Sequence, residues 1–477
     1  MKRYERHADA IAQLIHSGAL RPGDRVPSVR ESSRTRGISP STVFEAYYLL
    51  EAQGLIHARP RSGYYVSAPL PMAGQTPPAE PLPSQPASGS TGVAISDLVF
   101  EVLGSARERD LVPLGSAFPG LELFPFDRLA RCLSGGMRRL DPWSIVQSLP
   151  PGDERLRQQI ALRYGLHGTA VDMGELIVTN GAMEALNLCL EAVTQPGDIV
   201  VVESPTFYAA LQALERLNLK AAEVATHPRE GIDLAALAEA LARHPVKACW
   251  LMPSFQNPLG SLMPEGRKRE LVALLARHQV PLVEDDVYGE LHFGPERPPP
   301  AKAFDTQGLV MHCSSFSKCL APGYRVGWVA AGRFATAVQR LKLMTTLAAA
   351  VPSQQALSEY LAQGGYDRHL RQLRRSLARQ QERALAAIAR HFPAGTRVSR
   401  PEGGYFLWVE LPATVNALTL HRQALAQGIS LAPGQIFSAD QRFAHCVRIN
   451  YGHPAQQRFE EALATVGQLA EKLARGR

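Results

Sequence analysis

The sequence predicts an α/β protein in which a small, mainly helical N-terminal domain is joined by a linker to a large domain built on a mostly parallel sheet. Helical apolar periodicity dominates the first 68 residues, which carry two short β segments only at their end. A proline-rich stretch without apolar periodicity follows. From about residue 95, apolar strand runs alternate with helical patterns, as in sheets covered by helices on both faces.

The composition is typical of a globular protein with a large core, since 45% of the 477 residues are hydrophobic and 20% are charged. Six scattered cysteines form no Cys-x-x-Cys pair, so we predict neither a disulfide framework nor a metal site. No signal peptide is evident and no run of about 18 apolar residues occurs, so we expect a cytoplasmic protein without a membrane span. Residues 1–68 hold ten Lys/Arg against six Asp/Glu, which indicates a polyanionic partner for this part of the chain.

The N-terminal domain, placed at residues 1–68, is predicted to contain three helices and a hairpin. A capping box at Ser28 starts the second helix, Gly37 ends it, and Ser39 caps the third helix. Two short β segments are joined by the basic residues 59–63. This succession is that of a winged helix-turn-helix, in which the third helix enters the major groove of DNA and the wing contacts the backbone or the minor groove.

The sequence of this domain is more specific than its architecture. Residues 17–30, SGALRPGDRVPSVR, and the pattern that follows them resemble the GntR family of bacterial repressors over about residues 4–67. The resemblance implies double-stranded DNA as the partner, approached by Arg30, Ser41, Thr42 and the wing Gly63. The wing residues Arg59 and Arg61 are expected to contact phosphates rather than to read bases. A solvated helix arginine is the alternative for Arg30, and Pro40 stands where the family often has an arginine.

Residues 69–94 are predicted to be a linker. Residues 69–92 contain seven prolines together with Ser, Gly, Ala and Gln, which is typical of a semi-extended, disordered tether. Such a tether lets one domain reach away from the other and keeps its local concentration high.

The large domain is placed at residues 95–477, with a small α+β lobe from about residue 370. Short apolar runs predict strands at 177–179, 199–203, 248–252, 280–284 and 309–313. Sheets of this kind bind ligands at the carboxyl ends of their strands.

The stretch most informative about chemistry is residues 314–328, SSFSKCLAPGYRVGW, which follows one of these strands. A lysine in a partly dry pocket can lose its proton and condense with an aldehyde, and Lys318 lies among small and hydroxyl residues. Ser315 and Arg325 can hold a phosphate. An aldehyde that also carries a phosphate is pyridoxal 5′-phosphate (PLP). A surface lysine and arginine near a strand end is the alternative.

The pattern Ser-x-x-Lys followed by Pro-Gly-x-Arg-x-Gly resembles the cofactor lysine motif of the fold type I, aspartate-aminotransferase-like PLP enzymes, and the resemblance spans about residues 110–475. It implies that Lys318 bonds the cofactor and that Phe207 stacks on the pyridine ring. The helix start at Ala182 and Met183 would receive the phosphate. A core Phe is the alternative for Phe207.

Four further residues take their implied roles from the same resemblance. Asn257 and Tyr288 would reach the phenolic oxygen of the cofactor. Asp285, selected over Asp286 by the spacing Asp-x-x-Tyr, would face the pyridine nitrogen and keep it protonated. Arg448 would grip a ligand α-carboxylate with its two-pronged guanidinium. The alternatives are a turn Asn for Asn257 and an internal salt bridge for Arg448.

The fold type I resemblance also implies a homodimer, because such enzymes build their PLP sites at a subunit interface. The chain departs from the family at Gln147, where a tyrosine commonly reaches the phosphate of the neighbouring subunit. That intersubunit contact is expected to be weaker or made differently.

A GntR-like domain joined to an aminotransferase-like domain resembles the MocR family of bacterial regulators. The resemblance implies a PLP-dependent transcriptional regulator that senses PLP, an amino acid or an amine. A true aminotransferase with a DNA-binding appendix remains the main alternative, and a PLP lyase or decarboxylase is a third. The operator, the effector and the sign of regulation do not follow from the sequence.

Overall fold

The computed structural model describes residues 3–52, 55–59, 62–67, 77–104, 111–138, 140–453 and 456–476. The chain divides into two compact units, Met1–Gln75 and Thr76–Arg477. The first holds three helices and a hairpin, and the second an α/β body with a smaller lobe. Within the described ranges, no helix is long and apolar enough to cross a membrane.

The helices, in chain order, are α1 (Arg3–His16), α2 (Val29–Arg36), α3 (Pro40–Ala52), α4 (Ser96–Gly104), α5 (Phe126–Arg138), α6 (Pro142–Gln147), α7 (Glu154–Leu166), α8 (Ala182–Val193), α9 (Tyr208–Arg216), α10 (Leu234–Arg243), α11 (Glu265–His278), α12 (Ala335–Thr345), α13 (Val351–Ala362), α14 (Tyr366–His391), α15 (Ala417–Leu425) and α16 (Gln456–Ala474). The strands are β1 (Ile56–Arg59), β2 (Gly63–Val66), β3 (Ser90–Gly92), β4 (Leu176–Thr179), β5 (Ile199–Ser204), β6 (Lys220–His227), β7 (Gly231–Ile232), β8 (Val246–Leu251), β9 (Leu282–Asp285), β10 (Val310–Ser315), β11 (Gly327–Ala330), β12 (Arg397–Val398), β13 (Phe406–Glu410), β14 (Ala432–Pro433) and β15 (Cys446–Asn450).

The first unit is a winged helix-turn-helix with its own small core. Ser28 Oγ accepts a hydrogen bond from the Glu31 amide at 3.2 Å, and Gly37 ends α2 in the left-handed region, as the sequence predicts. The inner face of α3 is fully buried, and β1 pairs antiparallel with β2. The Tyr47 hydroxyl donates to the Pro27 carbonyl at 2.5 Å and lies 2.7 Å from Ser32 Oγ, so α3 is tied to α2 and the turn before it.

The large sheet has the strand order β3-β6-β5-β8-β9-β10-β11-β4, with β7 paired to β6. The neighbouring strands β6, β5, β8, β9 and β10 run parallel, whereas β11 is antiparallel to both of its neighbours. The carboxyl ends of β4, β5, β9 and β10 therefore meet at one edge of the sheet. Asp285 ends β9 there, and Gly181, Phe207 and Lys318 follow β4, β5 and β10. The predicted fold class is confirmed.

The small lobe is built on an antiparallel sheet in the order β12-β13-β15-β14. Arg448 on β15 lies opposite Trp408 on β13, and Val398 on β12 lies opposite Val409 on the same strand. Both central strands of this sheet are almost entirely buried. The single cation on β15 therefore lies in an interior position.

Most of the predicted linker, residues 77–94, belongs to the large unit. Residues 90–92 form β3 at the edge of the large sheet, and Ser84 Oγ donates to the Ser204 carbonyl at 2.5 Å and accepts from the Thr226 amide at 3.0 Å. The prediction of a linker at 69–94 and of a domain start at 95 is therefore corrected: residues 77–94 are part of the large unit. A proline-rich segment without apolar periodicity can be held by backbone pairing with an open sheet edge. Local sequence patterns do not reveal such pairing, because the partner strand lies far away in the chain. Residues 68–76 lie outside the described ranges.

Candidate functional site

A cavity of about 440 Å³ opens at the carboxyl ends of the parallel strands. Its charged lining residues are Asp285, Lys318 and Arg325. The other lining residues are apolar or bear hydroxyls: Ala117, Phe118, Ala182, Met183, Leu186, Phe207, Tyr208, Ala209, Met252, Val287, Tyr288, Ser315 and Ser317. The fold therefore brings together eight of the predicted cofactor residues, whereas Asn257 and Arg448 lie outside the lining.

Lys318 supplies the amine of the cavity. Its Nζ donates to the Ala117 carbonyl at 2.8 Å and lies 3.9 Å from the centroid of the Phe118 ring. Burial, followed by the positive charges of Arg448 and Arg325, lowers the pKa of Lys318 to about 7, although Asp285 acts in the opposite direction. A substantial fraction of the amine is neutral near neutral pH, as a nucleophilic lysine requires.

The neighbouring carboxylates Asp285 and Asp286 have opposite surroundings. Asp285 Oδ1 has no hydrogen-bond partner among the described residues, and burial together with the charge of Asp286 raises the Asp285 pKa to about 7. Asp286 Oδ2 accepts from Arg297 at 2.6 Å and lies 3.0 Å from His312 Nε2. Burial alone would raise the Asp286 pKa, but Arg297 and His312 lower it well below its usual range. Asp286 Oδ1 also has no partner among the described residues, but only Asp285 lines the cavity, so Asp285 is the carboxylate that offers an acceptor to a ligand there.

Two glycines and an arginine shape one end of the cavity. Gly181 precedes α8 with φ 83°, and a Cβ at this position would lie 2.5 Å from Arg325 Nη2. A Cβ on Gly327 would lie 2.6 Å from the Gly181 carbonyl carbon, so β11 passes directly against the start of α8. The guanidinium of Arg325, the amides that begin α8 and the unpartnered Ser317 hydroxyl form a cradle suited to a phosphate.

Arg448 is fully buried, and within the described part of the chain none of its hydrogen-bond acceptors is a carboxylate. It donates to the carbonyls of Gly115 at 2.7 Å and Ser116 at 3.2 Å, and to Asn257 Oδ1 at 3.1 Å. Its guanidinium carbon lies 4.2 Å from the centroid of the Phe406 ring. Burial lowers the Arg448 pKa, and Arg448 Nε has no partner among the described residues. A buried cation held only by neutral acceptors is well suited to an incoming carboxylate.

No motif in the sequence pointed to the segment Gly115–Phe118 or to Tyr208, which contribute to the site. Ala117 lies 201 residues before Lys318, and its carbonyl also accepts from the Tyr405 hydroxyl at 3.0 Å. Asn450 Nδ2 donates to the carbonyls of Ser116 and Phe118 at 3.0 and 2.7 Å. The only local signal was the cluster of Gly and Pro between residues 115 and 120, which marks a turn but not a site.

Two buried polar atoms without protein partners are complementary to groups of PLP. Among the described residues, Asp285 Oδ1 is an unpartnered acceptor and Asn257 Nδ2 an unpartnered donor, both fully buried. The cavity adds an amine, a phosphate cradle and the aromatic side chain of Phe207. A pyridine nitrogen, a phenolic oxygen, an aldehyde and a phosphate each find a complementary group.

In the first unit, four of the predicted DNA-contact residues are described, and they lie near the start of α2, near the start of α3 and in the wing. Arg30 and Ser41 are exposed and Thr42 is half-buried, with both hydroxyls 2.8 Å from Ser39 Oγ. Gly63 has φ 111°, and a Cβ there would lie 3.4 Å from Nε of Arg25, a basic residue that was not predicted at this surface. Arg61 and the side chain of Arg59 lie outside the described residues.

These observations define a class of protein in which a winged helix-turn-helix precedes a fold type I domain with PLP as its cofactor. Residues 3–66 match the family model of bacterial regulatory proteins of the gntR family, and residues 144–466 match that of class I and II aminotransferases. The chain belongs to the class I and II aminotransferase family and, by its combination of domains, to the MocR type of HTH regulator. The predicted family and cofactor are thereby confirmed.

Similar proteins fall into two groups. An uncharacterized HTH-type transcriptional regulator of Escherichia coli, YdcR, is 48% identical, covering 99% of this chain and 100% of its own length. Aromatic-amino-acid aminotransferase 1 of Thermococcus litoralis is 29% identical, over 76% of this chain and 89% of its own length. The crystal structure of LysN, an alpha-aminoadipate aminotransferase of Thermus thermophilus, was solved with N-(5′-phosphopyridoxyl)-L-leucine. It is 28% identical, has a TM-score of 0.72, and covers 81% of this chain and 100% of the LysN chain.

Proposed function

We propose that this chain is a PLP-dependent transcriptional regulator that binds operator DNA through its winged helix and senses PLP, an amino acid or an amine in its large unit. The observation that carries the proposal is the presence, in one chain, of a winged helix and of a cavity whose unpartnered groups complement PLP. A purely metabolic enzyme has no use for the first unit.

The residues proposed to hold the cofactor fall into four groups, each of which contacts a different part of PLP. Lys318 anchors the aldehyde carbon, and Asp285 pairs with the pyridine nitrogen. Asn257 and Tyr288 contact the phenolic oxygen, and Phe207 supports the face of the ring. Ala182, Met183, Ser315 and Arg325 surround the phosphate. Bound PLP supplies an electron-withdrawing ring and a reactive carbonyl carbon.

Arg448 is proposed to select a ligand that carries a carboxylate. Its present acceptors are two backbone carbonyls and the Asn257 amide oxygen, all neutral. A carboxylate accepts two parallel N–H bonds from a guanidinium and replaces neutral acceptors by a charged one, which makes each bond stronger. Asn257 would be left free to reorient its amide toward the cofactor and the ligand.

The active species is proposed to be a homodimer that works in the cytoplasm, where its DNA lies. The helix α6 exposes the large apolar side chains of Trp143 and Ile145. Met344 near the end of α12 is 79% exposed. Exposed apolar side chains that cluster mark an interaction surface, and a symmetric dimer would present two winged helices to two half-sites. A monomer at micromolar concentration in light scattering would contradict this.

The second candidate function is a true aminotransferase with a DNA-binding appendix. The observation that favours it is the completeness of the cavity, in which Lys318, Asp285 and Tyr288 could serve catalysis as well as sensing. Under this hypothesis, amino acids are converted at a rate that does not depend on DNA.

The experiment that separates the two is a DNA-binding titration of the chain's own upstream region, with and without PLP and then with a panel of amino acids and amines. We expect binding whose affinity changes with PLP or with one ligand. Operator binding by residues 69–477 alone would contradict the assignment of the first unit. Equal affinity for apo, PLP-bound and ligand-saturated protein, together with steady turnover, would leave the enzyme as the better account.

A further inference from the structure

The first described residues of the large unit, 77–92, form a segment that we call the strap, and one part of it is held by the small lobe. The carbonyl of Pro78 accepts from Arg400 Nη2 at 2.8 Å, and that of Ala79 accepts from the Val398 amide at 2.9 Å. Farther along, the Gln85 carbonyl accepts from Arg442 Nη1 at 2.8 Å. All three donors belong to the small lobe, and one of them is on β12.

The strap is also held by the large sheet. Glu80 pairs with Arg229 at 2.5 Å, and Pro81 is buried. Ser84 exchanges hydrogen bonds with Ser204 and Thr226 at the carboxyl ends of β5 and β6, and β3 adds the end of the strap to β6. Contacts with the two lobes therefore alternate along fewer than twenty residues, so a shift of one lobe against the other must displace the strap.

The strap is stiff enough to transmit such a shift. Five of residues 77–86 are prolines. Proline-rich chains prefer an extended conformation of about 3.1 Å per residue and act as semi-rigid spacers rather than as coils. A displacement at Pro78 would thus be passed along the chain instead of being absorbed.

The ligand site lies close to the strap through the small-lobe sheet. Arg448 on β15 is paired with Trp408 on β13, and β13 is paired in turn with Val398 on β12. The Val398 amide is the group that holds Ala79. Only two strand pairings therefore separate the proposed carboxylate-binding residue from the strap.

We propose that the strap couples the position of the small lobe, set by a carboxylate at Arg448, to the tether that leads from residue 77 to the DNA-binding unit. The proposal rests on the proposed function for its consequence on DNA, but the movement of the strap does not require DNA. The position of residue 77, where the described part of the large unit begins, would then depend on the ligand, because the strap moves with β12.

The direct test is hydrogen exchange of the full chain, measured by mass spectrometry without cofactor, with PLP, and with N-(5′-phosphopyridoxyl)-L-leucine. This stable molecule joins phosphate, ring and carboxylate. We expect it to slow exchange of the amides in residues 78–92 by at least about 5-fold relative to PLP alone, the lower end of the usual range of coupling between sites. Equal exchange of the strap with PLP and with the carboxylate-bearing probe overturns the proposal, whether or not the chain binds DNA.

A variant test follows the signal to DNA. The double substitution Arg400→Ala/Arg442→Ala removes the two side-chain donors on the small lobe; Arg442 also pairs with Asp440. Arg243→Ala is the matched control, because its ion pair with Glu239 lies within α10. We expect the double variant to bind the probe within about twofold of the parent, and to lose both the slowed exchange and the probe's effect on DNA affinity. The control should keep both.

The two proposals fail in different ways. A double variant that keeps the parent's response to the probe overturns the role of the strap. A parent chain that binds no DNA under any condition overturns the proposed function, and the exchange experiment still decides whether the strap responds to the ligand.

Discussion

The two units of this chain meet their partners by opposite physical means. The winged helix presents Arg30 and Ser41, two of its predicted contact residues, on an exposed surface. The cavity of the large unit draws Ala117, Asp285 and Lys318 from distant parts of the chain into a largely apolar enclosure. Substitution on the surface removes one contact among several, whereas substitution in the cavity removes a group that nothing else replaces.

The largest expected effect is at Lys318. Lys318→Ala should abolish covalent retention of PLP, because no other described lysine lines the cavity. The measurement is the visible absorbance of the bound cofactor and, after borohydride reduction, the mass of the labelled peptide. Lys247→Ala, at an exposed lysine of β8, is the control and should leave both unchanged. A labelled peptide that survives in the Lys318 variant would place the anchor elsewhere.

Arg448 should give the next largest effect, and only toward ligands that bear a carboxylate. Arg448→Ala should weaken their binding by about 2–5 kcal/mol, the usual cost of removing one partner of a buried charge pair. Arg448→Lys keeps the charge but not the planar fork, so it should recover only part of this loss. Titration with an amino acid and with the corresponding amine separates the cases.

The control for this comparison is the cofactor itself. PLP should bind to both Arg448 variants about as it binds to the parent chain. If the effector is PLP alone, the difference in DNA affinity between apo and PLP-bound protein should also survive Arg448→Ala. An amino acid whose affinity is unchanged by Arg448→Ala would show that its carboxylate is held elsewhere.

Substitutions in the winged helix should have smaller and separable effects. Arg30→Ala should cost about 1–3 kcal/mol at the operator and less on random DNA if it reads a base. Arg61→Ala should weaken both DNAs alike and reduce the dependence of affinity on salt by about one phosphate contact. Titrations at several salt concentrations measure both quantities. Equal losses on both DNAs for Arg30→Ala would reassign it to the phosphate backbone.

The smallest expected effect is a shift in the pH dependence of PLP uptake. Lys318 must be neutral to react, and its pKa is lowered from the usual 10.5 to about 7. The rate of PLP uptake by the apo protein should therefore rise with pH and level off above about pH 7. The charge of Asp285 raises the Lys318 pKa, so Asp285→Asn should move the profile to lower pH. The charge of Arg448 lowers the Lys318 pKa, so Arg448→Gln should move the profile to higher pH. Stopped-flow absorbance checks both, and a rise that continues toward pH 10 would contradict a lowered lysine pKa.

Local patterns in the sequence were sufficient for the winged helix and for the central strands. Ser28, Gly37 and the buried face of α3 act within a few residues of themselves, through caps and through the helical repeat. The same holds for the strands that end at Asp285 and shortly before Lys318, because continuous apolar runs indicate burial without any knowledge of neighbours. The identities of the cofactor residues came from the resemblance of their motifs to a known family.

What the sequence by itself determined, then, was the order of the secondary structure elements and the kinds of side chain placed at the strand ends. Only the tertiary structure decided that Ala117 meets Lys318, that Asp286 is held by Arg297 while Asp285 lines the cavity, and that most of the expected tether is bound to the large unit. The physical reason is that caps, turns and periodicity act over a few residues. A pKa, an unpartnered polar atom or a filled sheet edge depends instead on groups that lie far apart in the chain and meet only when the core has packed.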